Sequence, residues 1–338
     1  MIAIYDDIIN DLQNDGGISV YWENLKKKIE DEIETKSYNG KNINRDRNTY
    51  LSFHRYSNFN CKIESKHIFH SSYYRISKHP YSKNVVTVHD FVYEYHTKGL
   101  KRLVHILQKR NAVLNADRII CISENTKKDL LRFYPQIAEK TIKVIYHGVS
   151  EDFFQINNQK QSTEKSPSSK NIIFIGKRGG YKNFQIVIDS LEELQAYNLV
   201  LVGGGKLSKS EKNKLKHIRY KHYKGISNAE LNTLYNNSCA LIYPSFYEGF
   251  GLPIIESLKA GCPVICHNGS STSEIGSQYV LKGDITTNFI IKSLNRLEDQ
   301  KFRQKLIIEG IKYASNFTWD KTAKETLNLY TELWEEFQ

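Results

Sequence analysis

A short apolar run, residues 240–243, stops at Pro244, which the interior of a sheet excludes because it cannot donate to the ladder. A loop with Gly249 and Gly251 follows, then Pro253, whose fixed φ and missing N–H suit a first helical position. The stretch therefore reads strand, glycine loop, helix. The same rhythm recurs along the chain. Apolar, often β-branched runs at 1–5, 84–88, 118–122, 142–146, 171–175, 198–202 and 263–266 each give way to a glycine- or polar-rich loop, most of them ahead of a helical segment. Strands alternating with helices predict an α/β chain. A length of 338 residues suggests two domains, and a 40% hydrophobic content suffices for two cores.

Residues 155–170 carry Asn, Gln, Ser and Lys with almost nothing apolar, which is linker composition. The expected division is an N-terminal domain over 1–154, a linker over 155–170, a C-terminal domain over 171–315 and a final helix over 316–338.

The backbone N–H groups of Phe250, Gly251 and Leu252 fall at the start of the helix after the 240–243 strand. Unpaired donors and the positive end of the helix dipole make an anion site there, and the glycines admit a ligand close to the backbone. Glu248 and Glu256 flank this site. A carboxylate beside an anion site is costly unless it serves hydroxyls or a developing positive charge, which a sugar and a ribose supply. For Glu256 alone, an acid favoured by the first turns of a helix is an equal alternative. A second loop, after 171–175, holds Lys177, Arg178 and Lys182 among glycines, a composition suited to phosphate. It lacks the Gly-Lys-Ser/Thr ending of a Walker loop, and no Gly-x-Gly-x-x-Gly fingerprint is present, which argues against a nicotinamide-dependent dehydrogenase.

The run Glu248-Gly-Phe-Gly-Leu-Pro followed by Glu256 resembles the glutamate-x7-glutamate signature of family 4 retaining glycosyltransferases, including bacterial O-antigen mannosyltransferases. The resemblance implies a GT-B fold: two Rossmann-like domains facing across a cleft, with the C-terminal helix crossing back to the N-terminal domain. It implies that Glu256 holds the donor ribose, that Glu248 and His89 position the transferred sugar, and that Arg178 and Lys182 neutralise the leaving diphosphate. Loop amides at Phe250, Gly251 and Leu252 contact sugar and phosphate, and the Ile226 backbone reads the base. Gly17, in the glycine pair after the first strand, faces the diphosphate and acceptor, and Ser123 lies in the cleft. Simpler roles stay open for some of these residues: a turn for Gly17, an N-cap for Ser123, a loop cap for His89. The usual asparagine-glycine after the last N-domain strand is His147-Gly148 here, which leaves position 147 without an implied role.

The function implied is transfer of a sugar from a nucleoside-diphosphate sugar to a hydroxyl of a glycan or lipid-linked acceptor in surface polysaccharide assembly. The donor is GDP- or UDP-linked, with GDP-mannose placed first on the look of Gly180-Tyr181-Lys182-Asn183. No metal and no further cofactor is required. A non-catalytic sugar-nucleotide-binding partner subunit is the alternative.

The formal charge of +11 admits nucleic acid, an anionic membrane surface or acidic substrates as partners. No nucleic-acid module is present, so anionic substrate and membrane come ahead. No signal-peptide pattern and no membrane-length apolar run occurs, so a cytoplasmic chain is expected, docked at the inner membrane face if an interfacial helix exists. One segment, 97–117, bears on that. Leu100, Leu103, Val104, Leu107 and Leu114 share one helical face, with Lys98, Arg102, Lys109 and Arg110 off it and Lys101 at its margin. An ordinary surface helix and an interfacial helix drawn to anionic lipid both fit.

Overall fold

The computed structural model describes residues 1–12, 16–38, 57–59, 63–138, 141–156 and 170–337. Two units emerge: Met1–Gly148 with Thr318–Gln338, and Val149–Phe317. The division falls ahead of the expected linker, of which residues 157–169 lie outside the described residues. The cause is local. The Phe154 and Ile156 N–H groups donate to Asn232 and Asn236 side chains at 3.1 and 2.8 Å, so this segment packs with the second unit.

The first unit holds six parallel strands: β1 (Ile2–Asp6), β2 (Glu34–Tyr38), β3 (His67–Ser71), β4 (Ser82–Val88), β5 (Arg118–Cys121) and β6 (Ile142–Val144), ordered β2-β1-β3-β4-β5-β6. Its helices are α1 (Ile9–Leu12), α2 (Gly17–Ile29), α3 (Val92–His96), α4 (Leu100–Leu114) and α5 (Glu124–Phe133). The second unit repeats the plan with β7 (Asn171–Ile175), β8 (Asn198–Val202), β9 (Tyr220–Tyr223), β10 (Ala240–Tyr243), β11 (Val264–His267) and β12 (Leu281–Gly283), ordered β12-β11-β10-β7-β8-β9 and all parallel. Its helices are α6 (Phe184–Glu193), α7 (Lys209–Lys214), α8 (Asn228–Asn236), α9 (Leu252–Lys259), α10 (Ser270–Gly276), α11 (Thr287–Arg296) and α12 (Gln300–Ala314). A last helix, α13 (Trp319–Glu335), belongs to the first unit.

These are two Rossmann-like units: the α/β class is the one the strand–helix rhythm predicted, and the Rossmann-like plan is the one the resemblance implied. Central strands such as β10 and β11 read as continuous apolar runs because a parallel sheet is covered on both faces. In each sheet the strand order reverses at one point: between β1 and β3 in the first unit, between β7 and β10 in the second. Loops at the carboxyl ends of the strands flanking such a point form the natural binding crevice of an open α/β sheet. Helix α13 buries Trp319, Leu329, Tyr330 and Leu333 in the first core beside Tyr21 and Trp22. The Tyr330 hydroxyl lies 2.6 Å from His70 Nδ1, and His70 Nε2 lies 2.8 Å from Thr87 Oγ1, so a buried histidine on β3 is satisfied at both nitrogens.

Helix α4 departs from an ordinary surface helix. Its buried face is His105, Lys109, Ala112 and Val113, while Leu100, Leu103, Leu107 and Leu114 are exposed. Lys109, expected off the apolar face, is fully buried, paired with Glu94 at 2.8 Å, donating to Asp90 O at 2.7 Å and sitting over the Phe91 ring. Hydrogen bonding and an opposite charge make that burial tolerable.

Candidate active site

In the second unit the loops after β7 and β10 leave the two strands that flank the switch point. The Phe246 N–H donates to Tyr181 O at 2.8 Å and ties one loop to the other. This brings Lys182 to Glu248, with Nζ 2.5 Å from Oε1 and both side chains mostly buried. The ammonium also lies over the rings of Tyr181 and Tyr243. Burial and the neighbouring Glu248 push the Tyr243 hydroxyl well above its ordinary range. The Glu248 backbone is held from the start of α10: its N–H donates to Ser270 Oγ at 3.2 Å, and Ser271 Oγ donates to its carbonyl at 2.8 Å.

Gly251 is the N-cap of α9 at φ 100°, a left-handed conformation that favours glycine. The helix starts at Leu252, so Pro253 is its second residue rather than its first. Phe250 is buried and meets Phe317 edge-on. Glu256 sits one turn in, partly buried, accepting from the Tyr235 hydroxyl at 3.0 Å. Desolvation pushes its carboxyl up to about 7, against the lowering effect of the Tyr235 bond. Ile226 is half-buried in the loop after β9, directly before Ser227, the N-cap of α8.

The Arg178 guanidinium is bonded to the loop after β8 and to Glu211. Its Nε donates to Glu211 at 2.6 Å, Nη1 to Gly203 O at 3.0 Å and Nη2 to Gly204 O at 3.0 Å. Gly203, Gly204 and Gly205 all adopt positive φ, near 75, 70 and 73°, which turns successive carbonyls toward the guanidinium. A Cβ on Gly204 would lie 2.3 Å from Arg178 Nη1 and 2.5 Å from Gly176 O. The glycine run, uninformative as a motif, thus has a mechanical reason. Burial raises Glu211, but hydrogen bonds from Ser208 and Arg178 outweigh it and hold the carboxyl down to about 2.

In the first unit, His89 follows β4 and is buried against Tyr21 and His147, at centroid distances of 5.1 and 6.0 Å. Desolvation, aided by the Lys109 charge, lowers it to about 3, so the imidazole is neutral. His147 stacks on Tyr21 at 4.7 Å and near Trp319. Tyr21 gave no signal in the sequence, because an aromatic inside an amphipathic helix marks only core, and position 147, which the resemblance left without a role, packs its imidazole on that ring. Asp90 accepts from Val92 N–H at 2.9 Å and so shapes the loop into α3. Gly17 opens α2, and nothing lies within 4 Å of a Cβ built on it. Ser123 is the N-cap of α5: its Oγ accepts from Thr126 N–H at 3.1 Å and is fully buried, which is the simpler of its two expected roles. Among the described residues, no group of three or more His, Cys, Asp or Glu side chains could hold a metal ion.

Comparison with known proteins follows this geometry. The profile of Glycosyltransferase Family 4 matches residues 43–153, and that of Glycosyl transferases group 1 matches residues 155–313. The chain belongs to the family 4 glycosyltransferases. Similar to this family 4 chain is O-antigen chain mannosyltransferase B of Escherichia coli, 36% identical over 115 residues, which cover 33% of this chain and 30% of that protein. An uncharacterized glycosyltransferase of Methanocaldococcus jannaschii is 26% identical over 63% of this chain and 59% of its own length. The chain thus spans about a third and about three-fifths of these two curated relatives. Among solved structures, sucrose-phosphate synthase from Thermosynechococcus elongatus superposes with a TM-score of 0.78 at 16% identity, over 99% of this chain and 100% of that one. HepE of Anabaena, solved with UDP-glucose, does so at 0.73 and 14% identity, over 98% and 100%. These likenesses show the GT-B fold.

Proposed function

We propose that the protein moves a sugar from a nucleoside-diphosphate sugar to a hydroxyl of a glycan or lipid-linked saccharide in surface polysaccharide assembly, with retention at the transferred carbon. One observation carries this reading: two loops at the switch point of the second sheet are joined by a backbone bond and place a buried lysine against a glutamate beside a glycine-capped helix N-terminus.

Each group then has a task. The amides at 250–252 and the dipole of α9 receive the diphosphate. Lys182 leaves Glu248 for a phosphate oxygen, because a doubly charged leaving group attracts an ammonium more than one carboxylate does. Glu248, released, turns to the sugar. Glu256 accepts from the ribose hydroxyls, which favour its ionised form. The bond between the anomeric carbon and the diphosphate oxygen breaks, and its electron pair leaves with the diphosphate. The acceptor oxygen bonds that carbon on the same face, and its proton passes to the departing diphosphate. The cation and the amides stabilise charge where it develops. Arg178 acts at one remove, by holding the 203–205 loop. In the first unit, the neutral His89 offers hydrogen bonds to a sugar hydroxyl, and the open start of α2 at Gly17 accommodates a close-lying ligand. GDP-mannose is placed ahead of a UDP-sugar, supported by the mannosyltransferase among the relatives and by the Gly-Tyr-Lys-Asn loop.

A thermal-shift screen with GDP, UDP, dTDP and NAD tests the reading, since a ligand that binds only the native state raises Tm. One nucleoside diphosphate should stabilise the wild type and fail to stabilise Lys182→Ala and Glu256→Ala. Stabilisation by NAD alone, or by nothing, sinks the proposal. Binding without turnover across donor sugars would leave a sugar-nucleotide-binding subunit.

A further inference from the structure

We infer that the second unit holds a binding site for a small organic anion, a carboxylate on a flat apolar body, at the edge of its sheet away from the candidate active site. A cavity of about 290 Å³ lies there, lined by Lys170, Tyr197, Cys239, Leu294, Leu297 and Arg303, with Glu298 at its mouth. Lys170, Tyr197 and Cys239 directly precede β7, β8 and β10. Those three strands are neighbours in a parallel sheet, so the three residues share one amino-terminal edge. Leu294 comes from α11 and Arg303 from α12, which close the cavity from the side. Lys182 and Glu248 lie beyond the carboxyl ends of β7 and β10, so the length of the strands separates them from this cavity. Its size is near the lower end of small-molecule pockets.

The lining identifies the ligand. The backbone is already satisfied: Cys239 N–H donates to Asn171 O at 2.7 Å and Asn198 N–H to Lys170 O at 2.8 Å, so the open groups are side chains. Tyr197 is 6% exposed, yet its hydroxyl has no hydrogen-bond partner among the described residues. Burial raises that hydroxyl, against the pull of Lys170, so it stays protonated and can donate. A mostly buried donor of this kind is normally met by a partner. Arg303 Nη1 donates to Cys239 O at 2.9 Å, which fixes the guanidinium. No carboxylate pairs with Arg303 among the described residues, and the rest of its fork is open to one. Lys170 lies over the Tyr197 ring at 5.2 Å and pairs with Glu298 at 2.7 Å. Two cations and one carboxylate leave a single positive charge, which matches a monoanion. Leu294, Leu297, the Tyr197 ring and the Cys239 thiol, kept neutral by burial, match a flat apolar body. A nucleoside diphosphate fits poorly, because it brings more negative charge than the cavity offsets.

This inference does not rest on the transferase reading. The probe is naphthoate, titrated against the full chain and followed by saturation-transfer NMR, with naphthamide as its neutral counterpart. Naphthoate should bind the wild type, and naphthamide should bind at least about tenfold more weakly, the worth of a charge-assisted hydrogen bond. Arg303→Gln should weaken naphthoate by about tenfold or more. Tyr197→Phe, which keeps the ring and drops only the hydroxyl, should weaken it about fivefold, and it carries the test if Arg303→Gln folds poorly. Neither GDP nor UDP should displace the probe. A wild type that binds naphthoate but neither nucleotide would count against the transferase reading alone. The inference is overturned if naphthoate does not bind the wild type, if naphthamide binds equally well, if the variants bind as the wild type does, or if GDP or UDP competes the probe away.

Discussion

The two sheets share one plan, yet their binding edges are chemically opposite. In the second unit the edge is built from charges that neutralise each other: Lys182 with Glu248, Arg178 with Glu211. In the first unit the residues after β4 and β6 are neutral and aromatic: His89 and His147 packed on Tyr21. The proposed reading gives the charged edge to a diphosphate, which needs cations that can change partners, and the neutral edge to a hydroxyl-bearing sugar. One topology can carry both chemistries because loops, not strands, carry them.

The largest effect should come from breaking the charged edge. Lys182→Ala should lower kcat by about 100- to 1,000-fold, the loss typical of one donor to a developing anion. Steady-state transfer assays would read it, and a fall under tenfold would remove Lys182 from the charge-stabilising role.

The glycine run behind Arg178 comes next. Gly204→Ala adds a clash to its left-handed backbone, whereas Gly205→Ala has the same strain and nothing within 4 Å of its Cβ. Strain alone costs about 1–2 kcal/mol. Urea unfolding should therefore find Gly204→Ala the less stable by a further kcal/mol or more, on the order of a small overpacking penalty. Equal stabilities would mean that the guanidinium is not pinned there.

The two edges should also respond to pH with opposite signs. Glu256 has its folded pKa raised from 4.5 to about 7. The native state holds that proton longer, so its contribution is complete below about 4.5 and is lost as pH rises toward 7. His89 has its folded pKa lowered from 6.5 to about 3. The unfolded chain binds that proton first, so stability is lost as pH falls from 6.5 toward 3. Accordingly, Glu256→Gln should flatten the neutral side of a stability–pH profile and His89→Gln the acid side, by up to about 3 and about 5 kcal/mol respectively. If both substitutions changed the same limb, the assignment of charge states would be wrong.

The smallest effect is expected at Gly17. With open space around it, Gly17→Ala should change stability by no more than about 0.5 kcal/mol. A loss of transfer in a variant this stable would then report ligand approach, and unaltered transfer would release Gly17 from the site.

The sequence made much of this legible. Apolar runs such as 171–175, 198–202 and 240–243 became strands because a doubly covered parallel sheet demands continuous hydrophobicity. Glycine and proline at 249–253 marked the start of α9. β3 and β9 were harder to see. They read His-Ile-Phe-His-Ser and Tyr-Lys-His-Tyr, and a histidine such as His70 is acceptable in a strand only once Thr87 and Tyr330 satisfy it from far along the chain. The candidate cations looked alike in one loop, and local pattern could not separate them.

By itself, then, the sequence determined the α/β class, the positions of most strands along the chain and the residues at the carboxyl ends of β7 and β10. These depend on spacing, turn chemistry and hydrophobic runs, which are local. Tertiary structure alone decided that Lys182 meets Glu248 while Arg178 is held by the 203–205 carbonyls, that His89 is neutral, and that α4 turns its leucines outward. Each of those depends on partners distant in sequence. The face a helix buries is set by what its neighbours can satisfy: Glu94 and Asp90 hold Lys109 inward, and the leucines are left outside.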